Sequence, residues 1–177
     1  MGSLELRRIT TSPVDDVVPS WSKDGLWIYF ASHRTGSWQV FRAPAEGGEA
    51  GQITREGGYA AFEVPRTDEI VYTKFAASGL FRVARDGGPE RQILDRPRCW
   101  GHFAVAQGGV YFLDSNPGQE PRVEFLDFTG GTPRRVASLG HNSPCVESSL
   151  AVSPDGRWLI YVGIDESSDI VRVDGIR

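Results

Sequence analysis

The residues of this 177-residue chain whose types could do chemistry are scattered. His33, His102 and His141 form no His-x-x-x-His pattern and Cys99 and Cys145 form no Cys-x-x-Cys, so no metal centre is expected. Asp24 and Asp155 are the most inviting carboxylates, but each stands in a Ser-x-Asp-Gly run, where Asp caps a tight turn before it does anything else. There is no Gly-x-Ser-x-Gly elbow to present a nucleophilic serine. Gly130-Gly131-Thr132 lacks the lysine and following helix of a phosphate loop. The reading is therefore of a chain with no catalytic residue and no cofactor. Two cysteines are too few for a disulfide framework. Both precede first strands of neighbouring repeats, where they could approach one another, but buried thiols commonly stay free and that is the expectation here.

The elements that would position these groups are clearest between Pro19 and Thr54. Lys23-Asp24-Gly25 is a tight turn, and Trp27-Ile28-Tyr29-Phe30-Ala31 is a run of aromatic and β-branched residues suited to a strand covered on both faces. Trp38–Arg42 follows the turn around Gly36, Glu46-Gly47-Gly48 signals a hairpin, and Gln52-Ile53-Thr54 closes the unit as a short outer strand.

Copies of this unit recur. Second-strand centres fall at Ile28, Ile70, Val110 and Leu159, and hairpin glycines at Gly47-Gly48, Gly87-Gly88 and Gly130-Gly131, with Gly175 in the fourth place. A period of about 40–45 residues with four strands per unit marks propeller blades, whose two apolar faces can be buried only by stacking on neighbours. Blades are expected at about 19–54, 57–94, 99–137 and 145–177, all in one domain spanning 4–177, with little room for helix.

Ser22-Lys23-Asp24-Gly25 with Trp27-Ile28-Tyr29-Phe30, matched by Ser153-Pro154-Asp155-Gly156 with Trp158-Leu159-Ile160-Tyr161, resembles the TolB-like, WD-like propeller repeat of bacteria. Asp16–Trp21 and Ser153–Trp158 look most like the C-terminal propeller of bacterial winged-helix regulators and kinases. The resemblance implies a four-bladed all-β chain and says little about function, because propellers serve many ends. The leading expectation is a non-catalytic interaction module for a protein, peptide or small ligand. The alternative is an accessory or gating propeller for a hydrolase or peptidase encoded elsewhere.

Leu4–Thr10 does not open a blade. Its Arg-Ile-Thr ending matches the outer strands, so it is expected to complete the fourth blade, in its own chain or in a second copy that makes an eight-bladed ring. Met1-Gly2-Ser3 reads as an expression scar, and the chain as a piece of a larger propeller protein. Net charge is −4 with Lys and Arg dispersed, which argues against a nucleic-acid partner. With no apolar run of membrane length and no leader, no membrane association and a cytoplasmic location are expected.

In a propeller, the loops entering each first strand and those joining strands two and three gather on one face. Asp16, Arg34, Tyr59, Trp100, His102, His141 and Glu147 are the binding residues expected there, since aromatics beside charges are what recognition surfaces use. The segment Arg96–Phe103 departs most from the repeat and is the first choice for anything specific.

Overall fold

A computed structural model describes residues 6–116, 118–145, 148–164 and 168–173. Among them there are fifteen strands and no helix. The first sheet contains β1 (Asp16–Trp21), β2 (Trp27–Ser32), β3 (Gln39–Pro44) and β4 (Gly51–Gln52) in that order. The second contains β5 (Ala61–Glu63), β6 (Glu69–Tyr72), β7 (Leu80–Ala84) and β8 (Arg91–Leu94). The third contains β9 (Phe103–Val105), β10 (Gly109–Asp114), β11 (Arg122–Asp127) and β12 (Arg134–Ser138). In the fourth, β13 (Leu150–Val152), β14 (Leu159–Ile164) and β15 (Ser168–Val173) make three strands. Every pairing is antiparallel between consecutive strands.

Strand period explains how unbroken apolar runs are used. Successive side chains point to opposite faces. Ile70 and Tyr72 therefore join Tyr29, Val40 and Ile53 in the seam between the first two sheets, while Val71 joins Phe103, Val110 and Phe112 in the next. Tyr111 and Leu113 turn the other way and meet Leu150, Leu159 and Tyr161 in a third seam. Radial stacking follows, and turns from all four sheets line one cavity of about 410 Å³ that includes Lys23, Pro65, Gln107 and Asp155.

The Ser-x-Asp-Gly turns close alike at both ends of the chain. Ser22 Oγ donates to Asp24 Oδ1 at 2.6 Å and accepts from the Trp27 N–H at 2.8 Å, while Leu26 N–H donates to the same carboxylate at 2.9 Å. Ser153, Asp155 and Trp158 repeat this at 2.6 and 2.9 Å. Gly25 and Gly156 supply the φ of +73° and +69° that side chains avoid. In the second sheet, which lacks these residues, the backbone keeps the same closure, Val64 N–H donating to Glu69 O as Ser22 N–H does to Trp27 O, both at 2.9 Å.

One expectation is corrected. Cys99 and Cys145 are not free thiols: they are bonded, with Cα atoms 5.2 Å apart, so that the loops entering the third and fourth sheets are tied together. Trp27 and Trp158 are only partly buried; each lies at the rim under an arginine of the third strand, Arg42 at 4.3 Å and Arg172 at 4.2 Å, whereas Phe30 and Tyr161 are core. Residues 6–10 form no strand with β15 of their own chain. They lie on the first sheet, Ile9 against Phe30, Phe41 and Ala43 and Arg7 paired with Glu46. The Gly175 hairpin position falls outside the described residues.

Candidate functional site

Five rings from three sheets form one cluster on the face carrying the β2–β3, β4–β5, β6–β7 and β8–β9 connections. Trp38 meets His33 edge-on at 5.4 Å and Tyr59 at 5.2 Å; Tyr59 meets Phe75 at 5.0 Å and Trp100 at 4.9 Å. Edge-to-face and tilted contacts of this kind fix ring orientation beyond what burial alone achieves. The loops beneath are pinned by backbone bonds, Gly58 N–H to Trp38 O at 2.9 Å and Tyr59 N–H to Thr73 O at 2.7 Å. Thr73 Oγ1 donates to Trp100 O at 3.0 Å and joins the β6–β7 connection to the β8–β9 connection.

Tyr59 is the buried hub, and burial pushes its hydroxyl pKa up. Phe75, by contrast, is 56% exposed on top of it. Beside Trp38 and Phe75 opens a cleft of about 360 Å³ whose rim carries His33, Glu56 and Lys74. Its floor is backbone. A Cβ on Gly58 would come within 2.6 Å of Thr54 Oγ1 and 2.8 Å of Val40 Cγ2, so only glycine lets the linker lie flat there.

The expected binding residues divide. Tyr59 and Trp100 belong to the cluster. Asp16 and Arg34 come together with each other, at 2.9 and 3.0 Å, and the guanidinium lies 4.6 Å over Phe41. Burial opposes the Asp16 charge, but hydrogen bonds from Ser32, Thr10 and Arg34 outweigh it and hold the carboxyl below its ordinary pKa. This pair closes the end of the first sheet. His102 is 1% exposed, not a surface ligand: its Nε2 lies 2.9 Å from Pro144 O, tying the third sheet to the linker into the fourth. Burial lowers its pKa against the opposing effect of that bond. His141 is exposed beside Gly163, and Glu147 lies outside the described residues.

The sequence reading missed His33, Trp38 and Phe75 as site residues. His33 was absorbed into a turn and Trp38 into a strand. Phe75 had a readable signal: a large aromatic in an Ala-Ala-Ser-Gly connection that offers it nothing local to pack on.

The Arg96–Phe103 segment contributes Trp100 to this cluster and Arg98 and Cys99 to a separate polar hollow of about 350 Å³ with Asn116, Gln119 and Asn142. Among the described residues, no three His, Cys, Asp or Glu side chains come together to hold a metal ion.

Antiparallel sheets of four and, in the last, three strands, stacked face to face around a shared cavity, define a β-propeller class of protein. Residues 1–95 match the TolB beta propeller domain, and the chain belongs to that family. It is 34% identical over 79 residues to the uncharacterized protein Atu1656 of Agrobacterium fabrum, a match covering 44% of this chain and 27% of that protein. The fold is similar to that of a putative TolB from Agrobacterium tumefaciens, with a TM-score of 0.75, 16% identity, and 95% of this chain and 61% of that one covered. TolB from Acinetobacter baumannii gives a TM-score of 0.69 at 14% identity, covering 94% and 42%. The chain thus spans about a quarter of the curated relative and less than two thirds of either TolB structure.

Proposed function

We propose that this chain is a non-catalytic interaction module that binds a ligand through its aromatic loop face. The observation that carries this reading is the His33–Trp38–Tyr59–Phe75–Trp100 cluster: residues from four separate loops converge, and the outermost ring is left 56% exposed. Exposed aromatics held rigid by their neighbours lose little entropy on binding, which is why such rings dominate recognition energetics.

The module self-associates in this reading, two copies joining head to tail into an eight-bladed ring. The two ends of the blade stack are complementary. Ile9 packs on Phe41 and Ala43 of the first sheet as Ile53, directly after the outer strand β4, packs with Phe81 and Val83 of the second. Residues 6–10 thus occupy the seat of an outer strand, while β15 has no outer strand among the described residues. Its sheet also leaves Ile160, Ile164 and Ile170 exposed at 42%, 39% and 78%. The Cys99–Cys145 bond supports an oxidising compartment as the working location, since such bonds are rare where thiols are kept reduced.

Binding of labelled protein to peptide and glycan arrays tests the loop-face reading. Retention is expected for the wild type and for the opposite-face variant Gln107→Ala, and loss for Trp38→Ala/Phe75→Ala. An array on which the wild type binds nothing, or on which the double variant binds equally well, overturns it.

A further inference from the structure

We infer that the cleft beside Trp38 and Phe75 is a binding site for neutral saccharides, a proposal that rests on the loop-face reading and specifies its ligand. The argument begins with what the cleft leaves unused. Trp38 lines the cleft half-buried, and its indole N–H makes no hydrogen bond within the described residues, although an indole N–H ordinarily finds a partner. The Glu56 carboxylate and the His33 imidazole at the rim make none either. Phe75, seated on Trp38 at 6.3 Å and on Tyr59 at 5.0 Å, offers a fixed apolar surface among these groups.

A pyranose has the matching construction: an apolar patch of C–H groups on one side and hydroxyls, each donor and acceptor, around its edge. The C–H side covers Phe75. The hydroxyls donate to Glu56 and His33 and accept from the indole N–H of Trp38. Other ligand classes leave part of the site unmatched. An aromatic ligand would leave the rim donors and acceptors without partners. A quaternary ammonium needs rings standing apart to enclose it, whereas Trp38, Tyr59 and Phe75 pack on one another at 5.0–6.3 Å. An anion meets Glu56, while the Lys74 ammonium is drawn away over Phe81 at 4.3 Å. A proline-rich helix asks for parallel aromatic ridges, and these rings form a single mound. The volume of about 360 Å³ lies at the small end of ligand sites and suits one or two sugar rings.

The test titrates the intact chain with maltotriose, cellotriose and N-acetylchitotriose, read by tryptophan fluorescence and by saturation transfer from protein to ligand protons, with digalacturonate and octaproline as comparison ligands. At least one neutral trisaccharide is expected to bind saturably. Affinity should fall at least about tenfold in Phe75→Ala and in Glu56→Gln, equivalent to about 1.4 kcal/mol, and stay unchanged in Gln107→Ala. Phe75 and Glu56 are exposed, so both variants should fold, and unchanged circular dichroism and melting will verify it. Absence of saturable binding by any neutral trisaccharide overturns the inference, as does binding that Phe75→Ala leaves intact. Phe75-dependent binding of octaproline or digalacturonate alone overturns the saccharide assignment while the loop-face reading stands.

Discussion

The Tyr29 hydroxyl donates to the Glu63 carboxylate at 2.5 Å, joining the second strand of the first sheet to the first strand of the second. Glu63 also accepts from the Lys23 N–H at 2.7 Å, so one buried carboxylate ties both the seam and the Ser-x-Asp-Gly turn. Burial, with Glu63 alongside, raises the Tyr29 pKa well above its ordinary value, so the donor stays protonated. Tyr29→Phe removes the donor and leaves a buried acceptor under-satisfied, at an expected cost of about 1–3 kcal/mol. Urea titration checks it, and a loss near zero would mean the bond contributes nothing net.

Cys99 and Cys145 close a loop with a sequence separation of 46. On the chain-entropy account, a loop of that length stabilises the folded state by about 4 kcal/mol. Cys99→Ser/Cys145→Ser should unfold at markedly lower urea concentration than the oxidised wild type and match the wild type treated with a dithiol. Equal midpoints for oxidised and reduced protein would contradict this.

Most of the architecture was legible because a propeller repeats its local rules. Gly25 and Gly156 needed positive φ, Ser22 and Ser153 capped the same turn, and continuous apolar runs required two covered faces. The disulfide was only half legible: the repeat placed Cys99 and Cys145 where they could approach, but nothing in the sequence showed that the two thiols are bonded. The site was half legible. Tyr59 and Trp100 sit in loops the repeat made visible, but His33, Trp38 and Phe75 reach them only through contacts across a seam. Asp16 and Arg34 looked like surface charges because nothing in the sequence shows that they face each other over Phe41.

His102 gives a pH prediction. Burial lowers its pKa in the folded chain below the ordinary value near 6.5. The unfolded chain therefore binds more protons than the folded one just below pH 6.5, and stability falls as pH falls from there through the depressed folded value. Urea midpoints measured from pH 7 downward should drop in this window. His102→Gln, which cannot take up the proton, should be less stable at pH 7 but lack that part of the slope. An identical slope in the variant would assign the acid sensitivity to other groups.

The last prediction concerns the two ends of the blade stack. Burying contiguous apolar surface gains about 25 cal/mol per Å², and a sheet face left bare is an adhesive surface with an unpaired edge. Ile160, Ile164 and Ile170 present such a face, while Phe30 and Phe41 at the other end are already covered by Ile9, which sits where an outer strand belongs. On the proposed reading, the covered end of one copy takes the bare end of another, with residues 6–10 extending the partner's β15. Light scattering of the intact chain should give twice the monomer mass. Ile160→Lys/Ile170→Lys should return it to monomer with its circular dichroism unchanged, because both side chains point away from the seam to the third sheet. Deleting residues 1–10 should also abolish the dimer, through loss of the outer strand instead of the apolar face. A monomeric wild type, or a dimer indifferent to both changes, would show that the ends meet some other way.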